Sequence, residues 1–165
     1  MKGYSSFNAT QQSLLRGETT CVEIVSHYLE QINKHKHLNA FIEVYADESL
    51  AWAKHIDEKI KNKTAGKLAG MVIGNKDVLN HKGHATTSAS KILRGYKSIY
   101  NATAVQRLLD EDAIIIGRCN CDEFAMGSSN ENSSYGNVKM VWMKPKCPAA
   151  LPAARLLRCK WICVL

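Results

Sequence analysis

Apolar residues recur at helical spacing in four segments of the first 111 residues. The clearest segment follows Thr20, which can form a capping box with Glu23, and its apolar positions continue to about Lys34. Glycine after a periodic segment and an acidic residue before one mark the ends of the others. The predicted helices are residues 10–16, stopping at Gly17, residues 20–34, residues 47–63, capped by Asp47, and residues 102–111.

Three short runs of apolar residues, two between these helices and one after the last, predict strands at residues 40–45, 70–74 and 113–117. The last two runs are rich in β-branched side chains and end in glycine, which is typical of buried strands. Residues 80–101 are polar and irregular and predict a loop, and the chain contains no internal repeat. Helices that alternate with apolar strands predict an α/β protein whose sheet is covered on both faces.

The composition, 45% hydrophobic and 22% charged over 165 residues, is typical of one globular domain with its own core. Apolar runs are far shorter than the roughly 20 residues of a membrane-spanning helix. The first residues also lack the apolar stretch of a secretory signal. We therefore expect a cytoplasmic protein without membrane association, in which the six cysteines are thiols.

The net charge of +7 is distributed unevenly along the chain. Residues 1–138 contain 16 basic residues and all 15 acidic residues, whereas residues 139–165 contain six basic residues and no acidic one. All three prolines also lie in this last segment. We therefore predict a body, residues 1–138, and a tail, residues 139–165, which shows no helical or strand period. One hypothesis for such a tail is nucleic-acid contact, which would make the chain a basic-tailed α/β binding module.

Two stretches carry candidate chemistry. Lys76 follows the apolar run 70–74; it is either a surface lysine or one partly withdrawn from water. Desolvation disfavours the ammonium form, so a withdrawn lysine can act as a base. Residues 122–134 are rich in hydroxyl, amide and small side chains. They form either a short helix with a polar turn or a ligand-binding loop at the carboxyl edge of the sheet. The residue types alone leave these alternatives open.

Cysteine and histidine give weaker signals. Cys119 and Cys121 have Cys-x-Cys spacing, but no second pair in the body completes a zinc site. His81 and His84 fall in the predicted loop, where we expect them to be solvated and not to act as ligands. We therefore predict no metal site.

Three stretches together resemble the amidase signature family: LAGMVIGNKD at 68–77, TAVQRLLDEDAIIIG at 103–117 and CDEFAMGSSNENS at 121–133. The resemblance covers about residues 5–138 and is specific, because the last of these runs is long and unusual. It implies the N-terminal part of the amidase signature fold, a mixed sheet with helices on both faces, followed by an irregular tail. Asn75 departs from the apolar residue usual in the family, which predicts a more polar environment for Lys76.

Within this family the chain resembles in particular the A subunits of glutamyl-tRNA(Gln) amidotransferases. The resemblance implies that glutamine is hydrolysed by a Ser–cis-Ser–Lys triad, in which a neutral lysine takes a proton from the nucleophilic serine through a bridging serine. Lys76 matches the lysine of the triad, and Met126, Gly127, Ser128 and Ser129 match a loop that lines the substrate pocket.

The same resemblance implies partners. In such enzymes the A subunit works with B and C subunits, and its ammonia converts Glu-tRNA(Gln) to Gln-tRNA(Gln) on the partner. That partner, and not the A subunit, uses ATP and magnesium. We therefore expect no cofactor and no direct nucleic-acid site in this chain.

The family's two serines belong to a Gly-Gly-Ser-Ser-Gly-Gly-Ser segment that should follow residue 138, and the sequence lacks it. Back-translation of residues 140–154 into a shifted reading frame offers an explanation. Each new codon takes the third base of one original codon and the first two bases of the next. In that frame the codons of residues 140–144 fix Gly, Asp and Glu, and the following codons permit Pro-Gly-Gly-Ser-Ser-Gly. We therefore hypothesise that one base was lost near codon 139, so that residues 140–165 are out of frame. The bridging serine would have stood near Leu151, and the nucleophile beyond Leu165.

The sequence as it stands retains the base and lacks both serines, so we expect no amide hydrolysis. Most strands of the family fold would follow residue 138, so we also expect uncovered apolar faces and poor solubility of the isolated chain. Two alternatives remain at this stage: a fragment of a general amidase for small amides, and the nucleic-acid-binding module. The run 122–133 argues against the small-amide alternative.

Overall fold

Helices and strands alternate along residues 6–139 and 163–164, the part of the chain that a computed structural model describes. The helices are α1 Phe7–Leu15, α2 Cys21–Lys34, α3 Ala46–Lys61 and α4 Thr103–Asp110. The strands are β1 Phe41–Val44, β2 Val72–Lys76, β3 Ile114–Cys119 and β4 Cys163–Val164. Two 3₁₀ turns, Lys36–Leu38 and Glu123–Ala125, follow α2 and β3. The predicted helices and the three predicted strands are confirmed, and the predicted loop 80–101 contains only an isolated β-bridge.

The predicted capping box begins α2. The Thr20 side chain accepts a hydrogen bond from the Glu23 amide at 3.1 Å, and the Glu23 carboxylate accepts one from the Thr20 amide at 3.3 Å. Asp57 of α3 accepts two further bonds, from the amides of Cys21 at 2.7 Å and Val22 at 3.2 Å. The free amides at the start of α2 therefore join it to α3.

The predicted role of Asp47 as a helix cap is wrong. The residue before α3 is Tyr45, whose side chain makes no capping bond, and Asp47 lies in the first turn. The Tyr45 amide still donates to the carbonyl of Ile116 at 2.9 Å. Because β1 runs directly into α3, the end of the strand sets the start of the helix, and Asp47 contributes only its charge near the helix N-terminus.

The sheet is mixed, as the family resemblance implies, with strand order β1-β3-β2-β4. Strand β1 is antiparallel to β3, whereas β2 is parallel to both β3 and β4. The two-residue strand β4 lies in the tail that was expected to be irregular, and apart from Lys139 the other tail residues lie outside the described part. All six residues of β3 are buried, in agreement with its place inside the sheet.

Helices cover both faces of the sheet. Ile114 and Ile116 belong to a cluster with apolar residues of α1, α2 and α3, and Ile115 packs with Val105 of α4 and with Tyr45. This alternation follows from the two-residue period of a strand. The predicted two-sided α/β architecture is confirmed. None of the helices among the described residues has the length and apolar character needed to cross a membrane.

The prediction that His81 and His84 are solvated is wrong. Only 8% of His81 is exposed. Its ring stacks on that of His84 with centroids 4.2 Å apart, and His84 lies 4.1 Å from the ring of Tyr45. Burial, together with the charge of His84, lowers the pKa of His81 to about 4. The loop is irregular in backbone but packed against α3, and single-sequence polarity does not reveal that packing.

Candidate functional site

The parallel strands β2 and β3 end at the same edge of the sheet, which we call the carboxyl edge. Lys76 is the last residue of β2 and pairs with Cys119, the last residue of β3. It therefore belongs to the strand and does not follow it, because pairing with β3 continues beyond the apolar run. Lys76 is half-buried. Carboxyl edges of parallel strands are the usual place for ligands in α/β proteins.

Asn75 does not contribute its side chain to the face that Lys76 occupies, since neighbouring residues of a strand point to opposite faces. Its amide nitrogen donates to the carbonyl of Leu79 at 2.9 Å. The amide of Leu79 in turn donates to the carbonyl of Lys76 at 2.9 Å. Asn75 therefore closes the turn that follows β2, which accounts for a polar residue at a position where the family usually has an apolar one.

Asp77, directly after Lys76, is fully buried and accepts four hydrogen bonds. The donors are the Thr87 amide at 3.0 Å, the Thr87 hydroxyl at 2.6 Å, the Ala89 amide at 2.7 Å and the guanidinium of Arg118 at 2.6 Å. These bonds tie the loop 87–89 to the end of β2. Both oxygens of the Asp77 carboxylate are thereby engaged by residues other than Lys76.

Arg118 of β3 balances the charge of Asp77 inside the protein. Its second terminal nitrogen lies 3.2 Å from Glu43, and its guanidinium lies 5.9 Å from the ring centroid of Tyr135. Burial opposes the charge of Arg118, but the hydrogen bond and the charge of Asp77 outweigh it and raise the pKa of the guanidinium. The Tyr135 hydroxyl also lies 3.1 Å from the Thr87 hydroxyl, which connects a third segment to this pair.

The backbone near the carboxyl edge is held in an unfavourable conformation. Ser88, Ala89, Phe124 and Ala125 all have φ between 50° and 55°, the left-handed region. Each such residue costs about 1 kcal/mol or more, and surrounding contacts must maintain it. The amide of Phe124 donates to the carbonyl of Ser88 at 2.8 Å and joins the two strained segments. Strain of this kind is concentrated at functional sites.

Buried polar side chains hold the loop 120–138 from within. Asp122 accepts bonds from the amides of Asn130 at 2.8 Å and Asn132 at 3.2 Å. The Asn130 side chain accepts a bond from the Val138 amide at 2.7 Å. Asn120 accepts from the Ser133 hydroxyl at 2.6 Å. Residues 122–134 contain a short 3₁₀ helix, Glu123–Ala125, followed by an irregular polar loop, and the ligand-binding role of this loop stays a prediction.

The four predicted pocket residues lie on the outer side of this loop. Met126 is 88% exposed, Gly127 and Ser128 are exposed, and Ser129 is half-exposed. A Cβ atom on Gly127 would lie 2.5 Å from Cγ of Asp122, so this position requires glycine. The hydroxyl of Ser129 donates to the Glu131 carboxylate at 2.8 Å.

Lys76 and this loop are connected through Cys121, which lies close enough to Lys76 and Asp77 to respond to their charges. Cys121 begins the loop, and burial raises the pKa of its thiol to about 11; the charge of Asp77 adds to this shift and that of Lys76 opposes it. Lys76 and the start of this loop thus lie at the carboxyl edge, and the bond from the Phe124 amide to the Ser88 carbonyl joins the segments that follow β2 and β3. Sequence reasoning missed Asp77, Arg118 and Asn120, although charged and polar residues that directly follow or interrupt apolar strands could have indicated them.

The cysteines near the edge are not placed as an open metal site. Cys119 and Cys121 are both buried. Burial raises the pKa of Cys119, and the charge of Cys121 adds to the shift. A protonated thiol is a poor metal ligand.

Comparison with known proteins shows which family the chain resembles. The amidase family model matches residues 23–149. Glutamyl-tRNA(Gln) amidotransferase subunits A from Chlorobium phaeobacteroides and Chlorobium luteolum are 47% and 46% identical over 146 residues, 88% of this chain. These alignments cover 31% and 30% of the two relatives, so the chain spans about a third of their length.

A solved structure agrees with the fold. The peptide amidase from Stenotrophomonas maltophilia matches 89% of the chain with a TM-score of 0.76 and 24% identity, and the match covers 32% of that protein. Since the family model spans most of the chain and the fold agrees with it, the chain belongs to the amidase family.

Proposed function

We propose that this chain is the N-terminal part of the A subunit of a glutamyl-tRNA(Gln) amidotransferase, and that Lys76 is its catalytic base. One observation carries the proposal: the half-buried Lys76 ends β2 at the edge from which the ordered loop 120–138 also leaves. The parent reaction is hydrolysis of the glutamine amide, which supplies ammonia for conversion of Glu-tRNA(Gln) to Gln-tRNA(Gln).

Asp77 is the acid adjacent to Lys76 in the sequence, and its carboxylate is not free to pair with the lysine. Its oxygens are occupied by Thr87, Ala89 and Arg118. Within residues 6–139, the ion pairs include none that involves Lys76. The carboxylate therefore shapes the site without pairing with the base.

We assign the strained loops at 88–89 and 124–125 to the substrate pocket and its hydrogen-bond donors. Attack on an amide needs donors that face the developing oxyanion and a pocket for the substrate side chain. Residues 126–129 present exposed hydroxyl and amide groups above the buried Asp122. We assign them to substrate contact, with the bridging and nucleophilic serines supplied by a segment after residue 138.

That serine segment is absent from this sequence, and we propose that a one-base loss near codon 139 removed it. Residues 140–165 would then be an out-of-frame tail, and the chain would be inactive for want of a nucleophile. The body would retain the part of the site that residues 76–138 build. Reading the coding DNA through codon 139 and past the stop codon tests this directly: without a second frame that encodes Gly-Gly-Ser-Ser-Gly-Gly-Ser, the frameshift is refuted.

The relatives favour a tRNA-dependent enzyme over a general small-amide amidase. Amidotransferase A subunits reach 47% identity, whereas the peptide amidase is 24% identical. We therefore propose B and C subunits as partners, with ATP and magnesium used by the partner and no cofactor in this chain. The tail, on which the nucleic-acid alternative rests, lies outside the described residues except for Lys139 and β4, and no observation on the described residues favours that alternative.

Ammonia release from glutamine tests the assignment of Lys76. The 165-residue chain and a version with the reading frame restored would each be co-expressed with B and C subunits. We expect no turnover from the first and turnover from the second that Lys76→Ala abolishes and Lys91→Ala, an exposed lysine of the loop 80–101, preserves. Full activity of the restored Lys76→Ala protein would refute the role of Lys76. Turnover by the 165-residue chain would refute its inactivity.

A further inference from the structure

Three potential metal ligands meet on the face of the sheet that α4 covers, away from the loop 120–138. Glu48 lies in the first turn of α3, and His81 and His84 lie in the loop after β2. One ligand atom from each residue lies within 4.8 Å of the other two. The cluster consists of two imidazoles and one carboxylate, a set that zinc and similar divalent transition metals accept.

The distances require only a small movement to surround an ion. Two nitrogens that each lie about 2.0 Å from a tetrahedral zinc ion are about 3.3 Å apart. A carboxylate oxygen of Glu48 already lies 3.1 Å from Nε2 of His84. The imidazoles stack nearly in parallel, at 15°, so at least one ring must turn toward the other. The Glu48 side chain is 57% exposed and has room to turn, whereas His84 is 17% exposed and packs against Tyr45, so a turn of its ring would give up part of that packing.

His81 provides an independent sign of a missing partner. It is 8% exposed, and its Nδ1 atom is buried without a hydrogen-bond partner. A buried polar nitrogen without a partner is costly, and native structures usually satisfy it. An ion bound at Nδ1 of His81 would provide that partner.

The backbone of the histidine turn is fixed before any ligand arrives. The amide of His84 donates to the carbonyl of His81 at 3.0 Å, and Gly83 adopts the left-handed region with φ +83°. The Gly83 amide donates to Ser98 at 2.8 Å, and the Ser98 amide donates to His84 at 2.9 Å. This turn therefore holds the two histidines on one side of the loop, facing α3.

An open cleft adjoins the cluster. Its volume is about 540 Å³, and its lining includes Glu48, His81, Trp52, Gln106 and Asp110. The cleft gives an ion access from solvent and leaves room for a water molecule or an exogenous ligand. Three protein ligands and one open position are the arrangement of zinc sites that exchange a ligand.

We propose that Glu48, His81 and His84 form a binding site for one divalent transition-metal ion of the zinc class, with its fourth position open to the cleft. The site is separate from Lys76 and does not depend on the proposed amidotransferase function. The competing explanation is that the three side chains form only an ion pair and an aromatic stack.

Titration of the purified 165-residue chain with Zn²⁺ alone, followed by competition with a chromophoric indicator, tests the proposal. Cys147, Cys159 and Cys163 would be replaced by serine throughout, because thiolates bind zinc strongly. We expect one site per chain. His84→Asn should weaken it by about 100-fold or more, since even loss of a residue that supports a ligand costs 10- to 100-fold.

Glu48→Gln is the second variant, because this exposed side chain can change without disturbing the core. We expect it also to weaken zinc binding by at least about 10-fold. The matched control is His35→Asn with His37→Asn, which removes two histidines that lie close together elsewhere, with ring centroids 6.0 Å apart. The control should bind zinc as the parent does. Circular dichroism without metal would confirm that each variant is folded.

Each outcome decides the question. Loss of one stoichiometric site in folded His84→Asn and Glu48→Gln, but not in the control, supports the proposal. No zinc binding by the parent, or equal binding by all variants, would overturn it in favour of the ion pair and stack. Loss only in the His35/His37 control would place zinc at the end of α2 and would also overturn it.

Discussion

Asp77→Asn removes one buried charge and leaves the size of the side chain almost unchanged. In the folded protein the carboxylate lies 2.6 Å from Arg118 and accepts bonds from Thr87 and Ala89. The amide that replaces it has one acceptor oxygen and no charge. Arg118 would then remain buried, with 7% of its side chain exposed, and only the half-exposed Glu43 at 3.2 Å would oppose its charge.

The expected loss of unfolding free energy is large. Removing one partner of a buried ion pair costs about 3–5 kcal/mol, because the other charge stays buried. A buried amide donor that loses its acceptor costs about 1–3 kcal/mol, although the two effects overlap and do not add. A whole domain is typically stable by about 5–15 kcal/mol, so we expect Asp77→Asn to remove a major part of the stability.

Pulse proteolysis in urea at sub-micromolar concentration measures this loss without interference from aggregation. Glu43→Gln is the matched control, since it neutralises the exposed partner of the same arginine and should cost less than about 1 kcal/mol. The double variant Asp77→Asn with Arg118→Met should recover part of the loss, because it no longer leaves an uncompensated charge inside.

The reasoning fails if Asp77→Asn and Glu43→Gln cost the same. It also fails if the double variant is less stable than Asp77→Asn by the full cost of the Arg118 substitution, because the two charges would then be independent. A loss below about 1 kcal/mol would show that the buried pair contributes no more than a surface pair.

Three further outcomes follow from single features of the structure. Thr20→Ala removes the capping box of α2 and should lower the unfolding free energy by about 1 kcal/mol in the same proteolysis assay. Burial raises the pKa of Cys121 from 9.0 to about 11, so the thiol stabilises the fold below pH 9 and loses this effect as the pH rises to 11. Cys121→Ala should therefore lessen the fall in stability over that interval by up to about 3 kcal/mol, as measured by urea unfolding at each pH. Ile92 and Ile99 are 80% and 81% exposed, so replacing both by lysine should raise the soluble fraction of the isolated chain and change its stability by less than about 0.5 kcal/mol. An unchanged soluble fraction would show that these side chains do not drive aggregation.

Local signals explain why the fold could be predicted from the sequence. The capping box at Thr20 and Glu23 involves residues three positions apart, and the run 113–117 is apolar enough to indicate a buried strand by itself. The element ends were less accessible. Strand β2 extends through Asn75 and Lys76 because β3 pairs with them. Asp47 does not cap α3 as predicted, because the helix begins where β1 ends. Pairing with a distant segment set these boundaries.

The candidate site divides in the same way. Lys76 and residues 126–129 could be predicted as site residues from a family resemblance, since each lies within a contiguous stretch that resembles the family. The contacts that hold them join residues far apart, such as Asp77 with Arg118, 41 positions later. Likewise, His81 and Glu48 meet because α3 packs beside the loop after β2. Such contacts leave no periodic pattern or motif in the sequence. The sequence analysis therefore predicted a solvated His81 and did not identify Asp77 as part of the site.

The hydrogen bonds near the carboxyl edge join residues of the body, and this bears on what a lost reading frame would remove. Asp77 bonds to the loop 87–89, and the Phe124 amide donates to the Ser88 carbonyl. Asp122 accepts a bond from the Asn130 amide, and the Asn130 side chain accepts one from the Val138 amide. Lys139 adds a bond from its amide to the carbonyl of Leu38 at 2.8 Å. The change in composition begins at that same residue. A frameshift there would therefore keep in frame the residues that make these contacts, and it would remove the serines together with the rest of the family fold. Retention of Lys76 in a well-formed setting is thus compatible with complete inactivity, and only turnover can distinguish a working site from its preserved half.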